Sequence, residues 1–216
     1  MANIKPKGIK TFNQLRRGIT PMIPGQPEMI PWQWFDTQTY VSGTTTQLDF
    51  FSTVQSDKVL GNMEAAGQIP SPMFFDLYHL GVFMNVPPAE LGGAALLSGA
   101  AGAINDVHTL SIGSIELNIA QKTYWKGKIF MCPAGAGAAA RLAIAGTYTA
   151  DRSQALDYAT NGDPNLKNRN DFFGMITIPH NQNFFIRCNW TSALTLNNGN
   201  TGLIITMDGY LYRRVL

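Results

Sequence analysis

The sequence predicts an all-β chain: an antiparallel β-sandwich of the jelly-roll type, with an extended, proline-rich N-terminal arm. Three observations carry this. In the clearest runs apolar and polar residues alternate at a period of two, the mark of strands with one buried face. No window of about fifteen residues keeps a helical period, so the crossover helices of a parallel sheet are missing. Glycine, proline, asparagine and aspartate recur between the runs as turn formers.

The elements follow in order. Residues 18–35 hold Pro21, Pro24, Pro27 and Pro31, which forbid a helix and keep the preceding residues extended. This stretch reads as an arm ending in the aromatic cluster Trp32, Trp34 and Phe35, packed on the body or on a neighbour. The domain organisation is therefore an arm over 1–35 and a sandwich over 36–216. Eight strand-like runs lie near 38–42, 47–53, 73–86, 108–121, 123–131, 172–179, 184–192 and 202–213. In the fourth, Ile115, Leu117 and Ile119 alternate with Glu116 and Asn118. In the seventh, Phe184, Ile186, Cys188 and Trp190 oppose Arg187 and Asn189. In the last, Leu203, Ile205, Met207 and Leu211 oppose Thr206, Asp208, Tyr210 and Tyr212. One-sided apolar strands imply antiparallel sheets with a wet outer face. Asp57–Gly67 and Arg152–Thr160 could each form two or three helical turns. Two Gly/Ala-rich segments, Gly92–Ala103 and Ala134–Gly146, read as loops placed for close subunit contact.

Composition points the same way. Of 216 residues only 14% are charged, against roughly 25% in ordinary soluble domains. Their place is taken by 18 Thr, 16 Asn, 10 Gln and 9 Ser, a neutral polar surface suited to a protein held against copies of itself. Lys5, Lys7, Lys10, Arg16 and Arg17 precede the first acidic residue, Glu28, and Arg213 and Arg214 close the chain. The remainder carries nine basic against fourteen acidic residues, so basic ends flank a mildly acidic body. Such ends can touch nucleic acid or an acidic face of a neighbouring subunit. No apolar stretch follows the N-terminal lysines, so no secretory signal peptide is expected. Leu91–Asn105, fifteen uncharged residues, falls short of a membrane span. Cys132 and Cys188 sit in strand-like runs as buried thiols, with a disulfide between them left open.

Motifs for catalysis fare poorly. Gly135-Ala-Gly137-Ala-Ala-Ala140 fits a dinucleotide fingerprint, but in an Ala/Gly tract the match is nearly free and no βαβ unit surrounds it. His79, His108 and His180 are isolated, with no H-x-H and no H-E-x-x-H, so no metal site is expected. The acid–amide stretch from Asp157 to Asp171 could offer oxygen ligands to calcium, yet it lacks an EF-hand register and reads first as turns. The run Lys122-Thr-Tyr124-Trp125-Lys126-Gly-Lys128 reads as an exposed basic strand face rather than a base-stacking platform. No enzyme and no cofactor is expected.

Three stretches carry a resemblance. They are Phe35-Asp36-Thr37 through Tyr40, Gly43-Thr44-Thr45-Thr46 and Asp49-Phe50-Phe51; Ile178-Pro179 through Asn181, Asn183-Phe184-Phe185-Ile186-Arg187 and Trp190; and Leu203 through Asp208-Gly209, Leu211 and Arg213-Arg214-Val215. Together they resemble β-sandwich virion proteins of bacterial viruses, of the single jelly-roll capsid or capsid-decoration type. The resemblance implies a structural subunit made in the host cytoplasm and located in the virion. Its partners would be itself, as a homotrimer or larger ring, and other capsid proteins, with non-specific contact between its basic termini and the genome. Candidate subunit contacts are Pro21, Pro24, Pro27, Pro31, Trp32, Trp34 and Phe35; candidate genome or neighbour contacts are Lys5, Lys7, Lys10, Arg16 and Arg17. The rival expectation is a carbohydrate- or receptor-binding sandwich of a tail or fibre, with Trp125 or Trp190 as its aromatic platform.

Overall fold

In the computed structural model the alternating runs become strands, and the chain is described over residues 27–86, 105–133, 139–143, 155–160, 170–197 and 199–214. The strands are β1 (Pro27–Tyr40), β2 (Gln47–Phe50), β3 (Phe74–Val86), β4 (Ser114–Ile119) and β5 (Lys122–Lys128). They continue with β6 (Ala139–Ala143), β7 (Ala155–Thr160), β8 (Asn170–Ile178), β9 (Phe184–Asn189) and β10 (Thr201–Arg214). A short helix, α1, covers 105–111, and a single 3-10 turn covers Ile129–Met131.

One sheet runs β1-β10-β3 with β8 beside β3; the other runs β2-β9-β4-β5. All of these pairings are antiparallel. A β6–β7 hairpin extends the first sheet at the far end of β3, where Asn85 faces Thr160 and Val86 faces Ala159. The pairs β1·β10, β2·β9, β3·β8 and β4·β5 form one long ribbon, with its tip at Ala120–Gln121, wound so that successive pairs fall in alternate sheets. That is the jelly roll the sequence predicts.

The two sheets bury one core. From β4 it takes Ile115, Leu117 and Ile119, from β9 Phe184, Ile186 and Cys188, and from β10 Leu203, Ile205 and Met207. From β3 it takes Phe75 and Leu77, then Leu80, Val82 and Met84. The break in phase within β3 is a bulge: Asp208 faces His79 but Gly209 faces Leu77, leaving Tyr78 as the extra residue. Beside the bulge, a Cβ at Gly209 would overlap the Asp76 carbonyl.

The arm is where the structure departs most from the sequence reading. Pro27 to Phe35 belong to β1, which pairs with β10 along its whole length from Pro27↔Arg214 to Tyr40↔Thr201. The boundary drawn between residues 35 and 36 therefore falls inside a strand. Trp34 is buried in the chain's own core against Phe75. The prolines are tolerated because β1 is an edge strand. Phe35 N donates to Asn62 Oδ1, and the carbonyls of Gln33 and Thr37 accept from Asn62 Nδ2 and Gln55 Nε2, so odd-numbered residues turn their backbone groups to the open edge. Pro27 and Pro31 share that parity, so their missing N–H groups face away from β10 and cost no ladder bond. Pro21 and Pro24 lie outside the described residues.

Four further expectations are corrected. Asp57–Gly67 is a succession of turns and bends, not a helix, and it crosses the β1 edge through the Asp36↔Gly61 bridge. Buried Asp36 fastens the stretch leading into these turns: its carboxylate accepts from Phe51 N at 2.6 Å, Gln55 Nε2 at 2.8 Å and Gln38 Nε2 at 3.2 Å. Ala155–Thr160 is strand β7, where a helix could have begun at Arg152. The run from 108 to 121 opens in α1 and becomes a strand only at Ser114. Residues 139–143 of the second Gly/Ala segment are strand β6 rather than loop, which also removes the helix a dinucleotide fingerprint would need.

Two outcomes follow. A chain starting at Pro27 is expected to melt cooperatively, whereas one starting at Asp36 loses nine of the fourteen β1–β10 partners and should fail to fold, as read by circular dichroism and thermal melting. Gly209→Ala should lower stability by about 1–3 kcal/mol, near the upper end because the obstacle is backbone; chemical denaturation measures it.

Candidate functional site

The jelly roll gathers its loops at two ends. At one end the β2–β3 and β8–β9 loops meet, with Phe184 N donating to Gly67 O and Asn181 N to Ile69 O. At the other, the β1–β2 turn, α1 and the β9–β10 loop meet. There Gly43 N donates to Leu194 O, and Asn197 donates from both its backbone N and Nδ2 to buried Asp106 Oδ1 at 2.8 Å.

Trp190 organises this second end. Its indole N–H donates to Leu110 O at 3.0 Å, its ring packs edge-on against Tyr40 at 4.9 Å, and its backbone N donates to Thr46 O. Gly113 lies so close that a Cβ there would sit 2.6 Å from Trp190 Nε1. Above the tryptophan opens a cleft of about 440 Å³, lined by Ile112, Ser114, Lys128, Asn189, Thr191 and Ser192 among others. Lys128 Nζ reaches the Ile112 carbonyl at 3.2 Å. The lining is half polar, with hydroxyls, an amide and one ammonium, and half apolar, with Trp190, Leu194 and exposed Ile112.

The cleft continues the polar outer face of the β2-β9-β4-β5 sheet. Asp49, Arg187, Glu116 and Lys126 stand in one row of register across the four strands, alternating in sign. Arg187 holds Asp49 with two bonds, of 2.7 and 2.8 Å, and lies over the Phe185 ring. Those Asp49 bonds keep the guanidinium above its ordinary range; burial opposes them, and the Asp49 and Glu116 charges add to the rise. Glu116 accepts from Asn189 Nδ2 at 2.8 Å and lies 3.7 Å from Lys126. These cross-strand partners tie the four strands together across the face.

Other chemistry-bearing residues are dispersed. Among the described residues no three of His, Cys, Asp and Glu gather as a metal site. His79 lies on β3, His108 is exposed on α1 and His180 is half-buried in the turn after β8. Asp157 falls on β7 and Asp171 on β8, while residues 161–169 between them lie outside the described residues. Cys132 and Cys188 are free, buried thiols. Burial pushes Cys132 up to about 12; burial first, then Cys132 and Asp49 nearby, raises Cys188. On the opposite sheet, buried Asp76 accepts from Thr177 Oγ1 at 2.6 Å; burial raises its carboxyl, and hydrogen bonds from Thr177 and Tyr212 partly offset this.

Of the candidate contact residues, Pro31 and Trp32 are exposed, Phe35 is half-buried and Trp34 is buried. Lys5, Lys7, Lys10, Arg16 and Arg17 lie outside the described residues, and Arg213 is paired with Glu28 at 2.8 Å. Trp190 is buried at the floor of the cleft, and half-buried Trp125 packs edge-on against Phe172. The charged row escaped sequence reading because its members come from four strands, and the cleft because its lining comes from three strands and the loops beside them. Their outward parity, Glu116 and Asn118 on one run and Arg187 and Asn189 on another, was the available signal.

Compared with family models, curated proteins and solved structures, the chain matches none. No helix among the described residues is long and apolar enough to cross a membrane.

A thiol reagent at pH 8 should leave Cys132 and Cys188 of the native protein unlabelled for hours and modify both within minutes of unfolding, as mass spectrometry would count. Gly113→Ala should displace Trp190, lower stability by about 1–3 kcal/mol and change the tryptophan emission spectrum.

Proposed function

We propose that the chain is a non-enzymatic virion structural protein, a capsid subunit or capsid-decoration protein, that acts by assembling with copies of itself. One observation carries the reading: a jelly roll whose β2-β9-β4-β5 face is polar displays large apolar side chains on its connections. Val59 is 79% exposed, Phe130 61% and Ile112 52%, with Met131 beside Phe130. Apolar groups displayed in this way mark surfaces that meet other protein. The low charge and the Thr/Asn-rich surface support the same reading, and so does the resemblance to single jelly-roll virion proteins. Genome contact by the basic N-terminal residues belongs to this proposal as well.

A second reading has its own observation. The open cleft over Trp190, lined by Ser114, Asn189, Thr191 and Ser192, offers the hydroxyl and amide groups that hold a sugar. Binding to a glycan array that is lost in Asn189→Ala would favour a receptor-binding module.

Light scattering and electron microscopy of the purified protein separate the two. Assembly predicts trimers, rings or shells whose mass is a multiple of the chain; a monomer at high concentration would contradict it.

A further inference from the structure

The strand order leaves the sandwich with two unlike sides. One is the β5 edge: β5 pairs only with β4 among the described residues and ends its sheet. It carries Lys122, Lys126 and Lys128 with no acid, together with Tyr124, 53% exposed. Lys126 already faces Glu116 of its own chain, and Lys128 donates only to a neutral carbonyl. Lys122 and Lys128 are thus positive charges that no described carboxylate of the chain neutralises. The other side is formed by β1, β2 and the loop 51–64 that crosses the β1 edge. It displays Val54, Val59 and Leu60, all exposed, among Asp57, Lys58 and Glu64. The end strands β2 and β5 lie three strand spacings apart, about 14 Å at roughly 4.8 Å each. The two sides therefore face away from each other.

We propose that these sides meet between copies of this chain, the β5 edge of one against the 51–64 loop of the next. The inference rests on the self-assembly reading above and specifies its contact. Both sides set exposed apolar groups beside charge: β5 carries three lysines and no acid, while on the loop Asp57 and Glu64 outnumber Lys58, leaving it net negative. A two-fold contact of β5 with β5 is opposed, since it would bring the three lysines of each copy together. A β1-to-β1 contact through strand pairing is opposed as well. Pro27 and Pro31 remove donors from that edge, and Asn62 and Gln55 occupy the groups further along it. Unlike sides meeting head to tail build a closed ring where the rotation closes, and an open chain where it does not.

Charge reversal tests this. Lys122→Glu with Lys128→Glu, and separately Asp57→Lys with Glu64→Lys, should each raise the concentration for half-assembly by about tenfold or more. All four changes in one chain should restore the wild-type oligomer number, because the contact is rebuilt with its signs exchanged. Light scattering at low salt gives the masses, and thermal melting verifies that each variant is folded. Should a reversed chain fail to fold, the neutral pairs Lys122→Gln with Lys128→Gln, and Asp57→Asn with Glu64→Gln, give the same reading with a smaller loss. An assembling wild type whose variants assemble unchanged, or whose fourfold variant is not restored, would overturn the contact and leave self-assembly standing. A wild type that stays monomeric would overturn both.

Discussion

Everything in this fold hangs on β10. It lies between β1 and β3, pairing with one along its whole length and with the other from Gly202 to Tyr212. Its inner face supplies Leu203, Ile205, Met207 and Leu211 to the core. The last strand thus closes on the first, and the intervening ribbon is wound between them. Pairings this distant in sequence carry a large loop-closure cost before any contact rewards them, which marks the fold as slow to form. It also explains why Gly209 admits no side chain: there β10 passes directly over the β3 backbone at the bulge.

A jelly roll with so few charges must place them where they keep a face wet. On the β2-β9-β4-β5 sheet this is done by a single row, Asp49, Arg187, Glu116 and Lys126, where each charge has an opposite neighbour on the next strand. On the β1 edge, uncharged Asn62 and Gln55 and buried Asp36 do the fastening. The edges are accordingly treated differently. β1 is closed by prolines and loop side chains, while β5, which pairs only with β4 among the described residues, is lined with lysines, a common guard against unplanned strand pairing. That asymmetry is what makes the two sides of the sandwich chemically unlike.

Much of the architecture was legible where alternation is clean, as in Ile115 to Ile119, Phe184 to Cys188 and Leu203 to Met207. It failed where local chemistry competes with tertiary pairing. Pro27 and Pro31 look like arm residues until one sees that they share the parity that faces away from β10. The phase of β3 is broken by one bulged residue, Tyr78, which no period count reveals. Strands β6 and β7 were hidden because Ala-rich segments carry little strand propensity, and their pairing partners decide them. The cleft was illegible for another reason. Its walls come from residues as distant as Ser114 and Thr191, and Trp190, which looked like a platform, is committed to Leu110 and Tyr40 instead.

Hydrogen exchange of the intact protein, resolved by residue, tests the central claim that the first strand is sealed by the last. The β1–β10 ladder predicts slow exchange at the even-numbered amides Trp32, Trp34, Asp36 and Gln38, which face β10. Met29 and Gln33, on the open edge, should exchange quickly. Uniformly fast exchange from Met29 to Asp36 would show a free arm in place of a strand and would contradict the account.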